Sequence, residues 1–123
     1  MNLQELIEYC EKKKGTSRAF PFDDETLLIK VGSKMFVLTN IKSKIFKINL
    51  KCDPLMAEGL KREYSAIAPG YHMNKKHWIT ITFGEDVADE KIKWLIDLSY
   101  DLVLQGLKKS EIEKINNIGI FLE

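Results

Sequence analysis

The densest group of chemically capable side chains lies in one ten-residue segment, Pro69–Trp78. It holds lysines, histidines, an amide and aromatic rings, carried by Tyr71, His72, Asn74, Lys75, Lys76, His77 and Trp78. Lysines contact phosphates, and Tyr or Trp rings stack on bases. The segment therefore predicts a nucleic-acid-binding loop, with a solvated turn built by Pro-Gly and Asn as the structural alternative.

Two further lysines fall on one predicted strand, Ile45–Lys51. Its apolar positions Phe46, Ile48 and Leu50 alternate with Ile45, Lys47, Asn49 and Lys51. Successive side chains of a strand point to opposite faces, so the lysines lie on the face away from the core. We expect this wet face, through Lys47 and Lys51, to extend the binding surface.

Two pairs of residues resemble parts of known catalytic or metal-binding motifs, but neither motif is complete. His72 and His77 are five residues apart and miss the i, i+4 spacing that places two imidazoles on one helix face. Tyr71 and Lys75 match a Y-x-x-x-K spacing, but the glycine fingerprint of a dinucleotide fold is missing from the sequence. We therefore expect no catalytic residues, no cofactor and no metal site.

Cys52 lies between Lys51 and Asp53, beside a predicted helix start, where a thiolate is favoured. The alternative, which we prefer because no histidine partner can be assigned, is a small buried apolar residue.

Acidic residues recur on the first predicted helix at Glu5, Glu8 and Glu11, and cluster again at 23–25. Such oxygen-rich groups hold hard cations loosely, whereas a solvated helix face followed by a polar turn is the simpler interpretation.

Composition places the chain among ordinary globular domains. It has 123 residues, 45% hydrophobic and 30% charged, with a net charge of +1. A dedicated nucleic-acid binder is usually more basic, so only a local basic patch is compatible with that function. The first residues lack the apolar core of a signal peptide, and two cysteines are too few for a disulfide or zinc framework. We expect a cytoplasmic protein that does not enter a membrane.

Hydrophobic periodicity predicts an α+β fold in the order α-β-β-β-α-β-α, an antiparallel sheet with helices packed on one face. Helices are predicted to start at Asn2, Asp53 and Asp89. The predicted strands are Leu27–Val31, Met35–Ile41, Ile45–Lys51 and Trp78–Phe83. Residues 1–109 form a single domain. Residues 110–123 form a C-terminal extension, with a short helix opened by Ser110 and Glu113 or an edge strand at Ile118–Leu122.

Five segments, in order along the chain, carry a resemblance to a known family: Phe20–Phe22, Lys34–Phe36, Lys51–Pro54, Pro69–Trp78 and Ser99–Val103. They resemble the MmcQ/YjbR family of small bacterial proteins, from the first helix to about Lys109. The resemblance implies a frataxin-like (CyaY-like) α+β fold, a bacterial cytoplasmic protein and, by analogy of fold, DNA binding. Gly15–Ala19 replaces the Pro-Gly turn and acidic residue that usually precede Phe-Pro-Phe in the family.

Three functions follow from these observations. The first is a non-enzymatic binding domain with weak, non-specific affinity for DNA, through the Pro69–Trp78 loop with Lys47 and Lys51. The second is a protein-interaction module that docks a partner on the exposed sheet face or on the strand at Ile118–Leu122. The third is a weak metal or iron binder, by analogy with frataxin.

Overall fold

Residues 1–70 and 73–118 are described by the computed structural model, and they form six strands and four helices. The strands are β1 (Thr16–Ala19), β2 (Thr26–Val31), β3 (Lys34–Asn40), β4 (Lys47–Lys51), β5 (Ile67–Pro69) and β6 (Trp78–Thr82). The helices are α1 (Leu3–Glu11), α2 (Pro54–Glu63), α3 (Asp89–Gln105) and α4 (Lys109–Asn116). All strand pairs are antiparallel, in the order β1-β2-β3-β4-β6-β5. The α+β class and the antiparallel sheet are as predicted.

The helix starts follow from side chains that satisfy free backbone N–H groups. Asn2 Oδ1 accepts from Glu5 N at 2.8 Å, and Glu5 Oε1 accepts from Asn2 N at 3.2 Å, which completes a capping box. Asp53 Oδ2 accepts two N–H groups at the start of α2, where Pro54 is the first helical residue. The start of α3 differs from the prediction, because Ala88 is the N-cap and Asp89 lies inside the helix.

Two short strands add to the predicted order, and α4 lies where a short helix was one of the two alternatives for the C-terminal extension. β1 reads Thr-Ser-Arg-Ala, without an apolar alternation that would reveal it, and among the described residues it pairs only with β2, at the edge of the sheet. β5 has three residues and ends at Pro69, a residue that sheets accept at an edge. Both strands are specified by their neighbours in the sheet rather than by their own pattern.

One face of the sheet packs against α1, α2 and α3. Its inward side chains form the core with those of the helices and come from the four central strands, as Leu27, Ile29, Val31, Val37, Ile48, Leu50, Ile79 and Ile81. The buried residues of α3 are Ile92, Leu95, Ile96, Ser99, Tyr100 and Val103. Leu102, which helical periodicity also assigned to the inner face, is only partly buried. None of the helices in the described ranges is long and apolar enough to cross a bilayer.

Ser99 connects α3 to the centre of the sheet. Its Oγ donates to Phe36 O at 2.7 Å and accepts from Lys51 N at 2.9 Å. β3 and β4 pair directly at Val37–Leu50 and Leu38–Asn49, so Phe36 and Lys51 are the next positions along the ladder. The fully buried hydroxyl therefore bridges two strands at the point where their recorded pairing ends.

We expect Ser99→Ala to lower the free energy of unfolding by about 2–4 kcal/mol, because it leaves a buried carbonyl and a buried N–H without their shared partner. Urea denaturation followed by circular dichroism measures the change. Ser110→Ala, at an exposed position, is the matched control. A loss below about 0.5 kcal/mol would mean that the strands close over the missing hydroxyl.

α4 packs against the turns at Gly15 and Gly32 through Ile115 and Glu111, and Leu107, just before α4, also contacts the Gly32 turn. A Cβ on Gly15 would lie 2.8 Å from Ile115 Cγ1, and a Cβ on Gly32 would lie 3.0 Å from Leu107 Cδ1. Both glycines have positive φ, which other residues rarely adopt. Glu111 adds polar contacts, accepting from Ser33 N at 3.1 Å and Ser33 Oγ at 3.0 Å. Residues 109–116 are thus joined to the domain by apolar and polar contacts.

We expect Ile115→Ala to reduce the free energy of unfolding by about 2–4 kcal/mol, since it opens a cavity at the Gly15 and Gly32 turns. Ile118→Ala serves as the control because Ile118 is 44% exposed, and its effect should stay within about 0.5 kcal/mol. Thermal and urea unfolding of both variants provide the test. Equal effects would show that α4 does not contribute to the core.

Candidate functional site: a groove on the open sheet face

No helix of the described residues packs on the second sheet face, which we call the open face. It carries Leu28 on β2, Leu38 on β3, Asn49 on β4 and Thr80 on β6. Sequence alternation predicts that this face is wet, but Leu28, Asn49 and Thr80 are each less than 9% exposed. Chain connections instead of helices cover the centre of the face and leave a groove beside them.

The groove has a volume of about 390 Å³, within the range of small-molecule sites. Its apolar walls are Phe22 from the β1–β2 connection, Ile45 from the β3–β4 connection, Met73, and Leu38 of the sheet. Phe22 is 74% exposed and Ile45 is 57% exposed. Exposed apolar walls around a concave floor are typical of a binding site rather than of a core.

Asn49 and Thr80 form the polar floor of the groove. They lie opposite each other on β4 and β6, and Thr80 Oγ1 donates to Asn49 Oδ1 at 2.6 Å. That bond fixes the amide group, whose Nδ2 donates to no residue of the described ranges. The side chain of Asn49 lines the groove, so its Nδ2 hydrogens are donors that the floor offers to a ligand.

The charged residues of the groove are Lys47 and Asp23, among its described lining residues. Asp23 Oδ1 accepts from Glu25 N at 2.9 Å and Thr26 N at 2.7 Å, and Oδ2 accepts from Thr26 Oγ1 at 3.2 Å. These bonds, the two from the backbone above all, hold the pKa of the Asp23 carboxyl below its usual value. The carboxylate therefore organises the β1–β2 connection and has its oxygens occupied.

Residues 73–77 of the predicted binding segment form a turn before β6. Asn74 organises it: Asn74 O accepts from His77 N and Trp78 N, and Asn74 Oδ1 accepts from Lys76 N at 3.0 Å. His77 O in turn accepts from Cys52 N at 2.8 Å, which attaches the turn to the end of β4. Lys75 and Lys76 are exposed. The described part of the segment is therefore a turn with exposed lysines. This agrees with the structural interpretation, and it leaves the lysines accessible to a ligand, as the binding interpretation requires.

Lys47 and Lys51 lie on the open face, but at opposite ends of β4. Lys51 pairs with Trp78 across the β4–β6 ladder, next to the turn, whereas Lys47 pairs with Thr82 and lines the groove. Four residues of strand separate the two lysines by about 13 Å. The structure therefore brings Lys51, Lys75, Lys76 and Trp78 to one end of the sheet, which we call the basic end, and leaves Lys47 apart.

Trp78 is half-buried. Its backbone runs close to that of Gly70, just after the end of β5. Gly70 N donates to Trp78 O at 3.0 Å, and a Cβ on Gly70 would lie 2.7 Å from Trp78 Cβ. Glycine is required where the two chains approach this closely. The predicted site residues Tyr71 and His72 lie outside the described residues, as does all of the predicted strand at Ile118–Leu122 except its first residue.

Neither cysteine is activated. Cys52 is 4% exposed and Cys10 is fully buried. Burial raises the pKa of the Cys52 thiol to about 11, assisted by the Asp53 carboxylate, and raises the pKa of the Cys10 thiol to about 12. Cys52 therefore behaves as the small buried apolar residue that we preferred from the sequence.

Each of the three glutamates of α1 interacts with a different partner. Glu5 belongs to the capping box, Glu8 accepts from Gln4 Nε2 at 3.0 Å, and Glu11 lies 3.3 Å from Arg18. Across residues 1–70 and 73–118, His, Cys, Asp and Glu side chains form no group of three that fits a metal ion. Iron binding by these residues stays a sequence-based expectation without a geometric counterpart.

Comparison with known proteins gives the family. The family model described as YjbR matches residues 11–102. The chain belongs to the YjbR family. It is 38% identical over 96 residues to YbdF of Escherichia coli O157:H7, covering 78% of this chain and 79% of YbdF. It is 32% identical over 111 residues to YjbR of Escherichia coli K12, covering 90% and 94% of the two chains. The predicted membership is confirmed.

Solved structures agree with the fold of this YjbR-family chain. The crystal structure of Deinococcus radiodurans protein DR2400 superposes with a TM-score of 0.87 at 38% identity, covering 94% of this chain and 88% of that one. A Pseudomonas syringae protein superposes with a TM-score of 0.72 at 28% identity, covering 83% and 98%. The further likeness to frataxin stays a prediction.

Sequence reasoning missed the groove, because its parts are distant along the chain. Asn49 and Thr80 are 31 residues apart, and Phe22, Ile45 and Met73 come from three different connections. One signal was present: Asn49 is the uncharged polar residue between Lys47 and Lys51 on the predicted wet face. Its importance depends on the pairing of β4 with β6, which alternation within one strand does not specify.

We expect both thiols of the native protein to resist Ellman's reagent at pH 8, because only about one thiol in a thousand is ionised when the pKa is near 11. Labelling should be slow in buffer and reach two groups per chain in denaturant. Ser17→Cys, at an exposed position of β1, should add one rapidly labelled group. Rapid native labelling of the unmodified chain would contradict the burial of Cys52.

Proposed function

We propose that this YjbR-family protein is a non-enzymatic binding domain that contacts nucleic acid weakly through the basic end of its open face. The observation that carries the proposal is the pairing of Lys51 with Trp78 directly beside the Lys75–Lys76 turn. Cationic side chains there would meet the phosphates of a strand, and the half-buried indole would offer a face for stacking.

The attachment of the turn to the sheet supports this proposal. Hydrogen bonds from the N–H groups of Cys52, His77 and Trp78 connect the turn internally and to β4. A turn ordered in this way presents its lysines with little loss of backbone entropy when a ligand binds. Phe22 and Met73, which belong to two segments of the family resemblance, also line the groove of the same open face.

The net charge of +1 limits the strength of such binding. The basic end has three lysines, and the acidic side chains of the rest of the chain weaken the long-range attraction between these lysines and the phosphates of a nucleic acid. We therefore expect dissociation constants of about 10⁻⁴ to 10⁻⁶ M at physiological salt, the range of sequence-independent binding.

The chemistry of the described side chains supports a role without catalysis. Both thiols are buried with raised pKa values, and His77 donates no side-chain hydrogen bond to a carboxylate or hydroxyl of the described residues. General base or nucleophile chemistry needs such a partner within reach. Free thiols also suit a reducing compartment, so we propose a cytoplasmic location.

A protein-interaction function is the second candidate, favoured by the outer edge of β1. Among the described residues Thr16–Ala19 pairs only with β2, and we propose that its other backbone edge accepts an added strand. Light scattering over a concentration series tests this candidate with a second copy as the partner. A constant monomer mass would leave only a different protein as the partner, to be sought by crosslinking at β1.

Fluorescence anisotropy with labelled 20-nucleotide single-stranded and duplex DNA tests the main proposal. We expect binding that weakens with salt, and a logarithmic salt slope that falls by about one to two units in Lys75→Ala/Lys76→Ala, since each lost phosphate contact removes about 0.7 to 0.9. Lys108→Ala/Lys109→Ala removes two exposed lysines from the start of α4 and is the matched control.

Two results would refute nucleic-acid binding at the basic end. One is the absence of binding at low salt, where the electrostatic attraction is strongest. The other is an equal loss in both double variants, which would mean that only the overall charge matters. Circular dichroism of each variant establishes that the turn substitutions leave the fold intact.

A further inference from the structure

The groove of the open face differs in chemistry from the basic end, and the amide and carboxylate oxygens of its described lining each accept at least one hydrogen bond from the protein. Asn49 Oδ1 accepts from Thr80 Oγ1, and Asn40 Oδ1 accepts from Lys42 N at 2.9 Å. The Asp23 oxygens accept from Glu25 and Thr26, as described above. A ligand group that needs an acceptor finds these oxygens engaged.

The two side-chain amides of the described groove lining also carry N–H donors. The Nδ2 groups of Asn40 and Asn49 donate to no residue in the described ranges, and both side chains line the groove. Asn49 is 8% exposed as a residue, and its side chain lines the floor of the groove. Lys47 adds a positive charge to the same lining. The other charged residue of the described lining is Asp23, whose carboxylate oxygens accept from Glu25 N, Thr26 N and Thr26 Oγ1 of its own connection. The amide N–H groups and the Lys47 ammonium favour oxygen acceptors, and an anionic head next to Lys47 and away from Asp23 most.

Apolar side chains form much of the described lining. Phe22, Leu38, Ile45 and Met73 stand around the polar floor, and Met is an adaptable partner for aromatic rings. A fully charged or sugar-like ligand would leave these walls without a partner. A purely apolar ligand would bury the Asn49 donors without an acceptor, which costs free energy.

We propose that the groove binds a small amphipathic anion, whose apolar body packs on Phe22, Ile45 and Met73 and whose oxygen head accepts from Asn49 and Asn40 beside Lys47. The head is a carboxylate or a phosphate, which share this acceptor chemistry. The site is separate from the basic end and takes a free small molecule rather than a polymer.

Three probes of similar size test the proposal by ¹⁵N–¹H NMR titration: 3-phenylpropionate, phenyl phosphate and 3-phenylpropylamine. We expect the side-chain NH₂ signals of Asn40 and Asn49 to shift with the anions, with millimolar dissociation constants typical of ligands this small. The two anions distinguish a carboxylate from a phosphate preference. The amine, with the same apolar ring and the opposite charge, should bind about tenfold more weakly or not at all.

Substitutions then assign the binding to the floor of the groove. Asn49→Leu keeps the side-chain size and removes the donors, so anion affinity should fall by about tenfold or more while the preference over the amine disappears. Thr80 Oγ1 keeps Pro69 O as an acceptor at 3.2 Å, which lets the variant fold. Asn40→Ala, at an exposed position, provides a second variant with a smaller loss. Asn116→Ala on α4 is the matched control.

Equal binding of the amine and the anions would overturn the proposal, as would anion shifts that persist in Asn49→Leu. The same spectra separate it from nucleic-acid binding. An oligonucleotide that shifts Lys51, Trp78 and residues 74–77, while the anions leave Asn40 and Asn49 unmoved, would refute the groove site alone. Anion binding without any oligonucleotide shift would refute the basic end alone.

Discussion

The buried hydroxyl of Ser99 is the contact on which the arrangement of the open face depends. It joins Phe36 of β3 and Lys51 of β4 from the side of α3. β4 is a central strand between β3 and β6, and it carries Lys47, Asn49 and Lys51 on the opposite face. A hydrogen bond made on the helix side therefore sets the position of the strand that presents the candidate sites.

The other buried polar side chains hold the same strand. Thr39 Oγ1 donates to Lys47 O at 2.7 Å at the start of β4, and Thr80 Oγ1 bonds Asn49 in its middle. With Ser99 at the far end, β4 is fixed along its length by three hydroxyl groups. Buried polar groups with good partners rigidify a structure and cost free energy when a partner is lost. The stability of the sheet and the geometry of the groove are thus achieved by the same contacts.

Local patterns in the sequence account for the helices and central strands, since capping residues and alternation act over a few positions. They fail for features that depend on distant partners. Asn49 looked like one more wet-face residue, and Phe22 looked like part of a turn, until the β4–β6 pairing and the connections placed them around one groove. β1 was missed for a related reason, because Thr-Ser-Arg-Ala becomes a strand only beside β2.

The open face separates two kinds of chemistry along one strand. Lys51 lies by the exposed turn lysines and Trp78, whereas Lys47 lies by amide donors and apolar walls about 13 Å away. That distance exceeds the screening length of about 8 Å at physiological ionic strength. The charge of a ligand bound at one end of β4 would consequently have little electrostatic effect on a ligand bound at the other end. Because β4 is fixed along its length, movement of the strand is also a poor route for coupling. Binding at the basic end and in the groove should therefore be independent, so that a near-neutral domain can hold two weak sites without either obstructing the other.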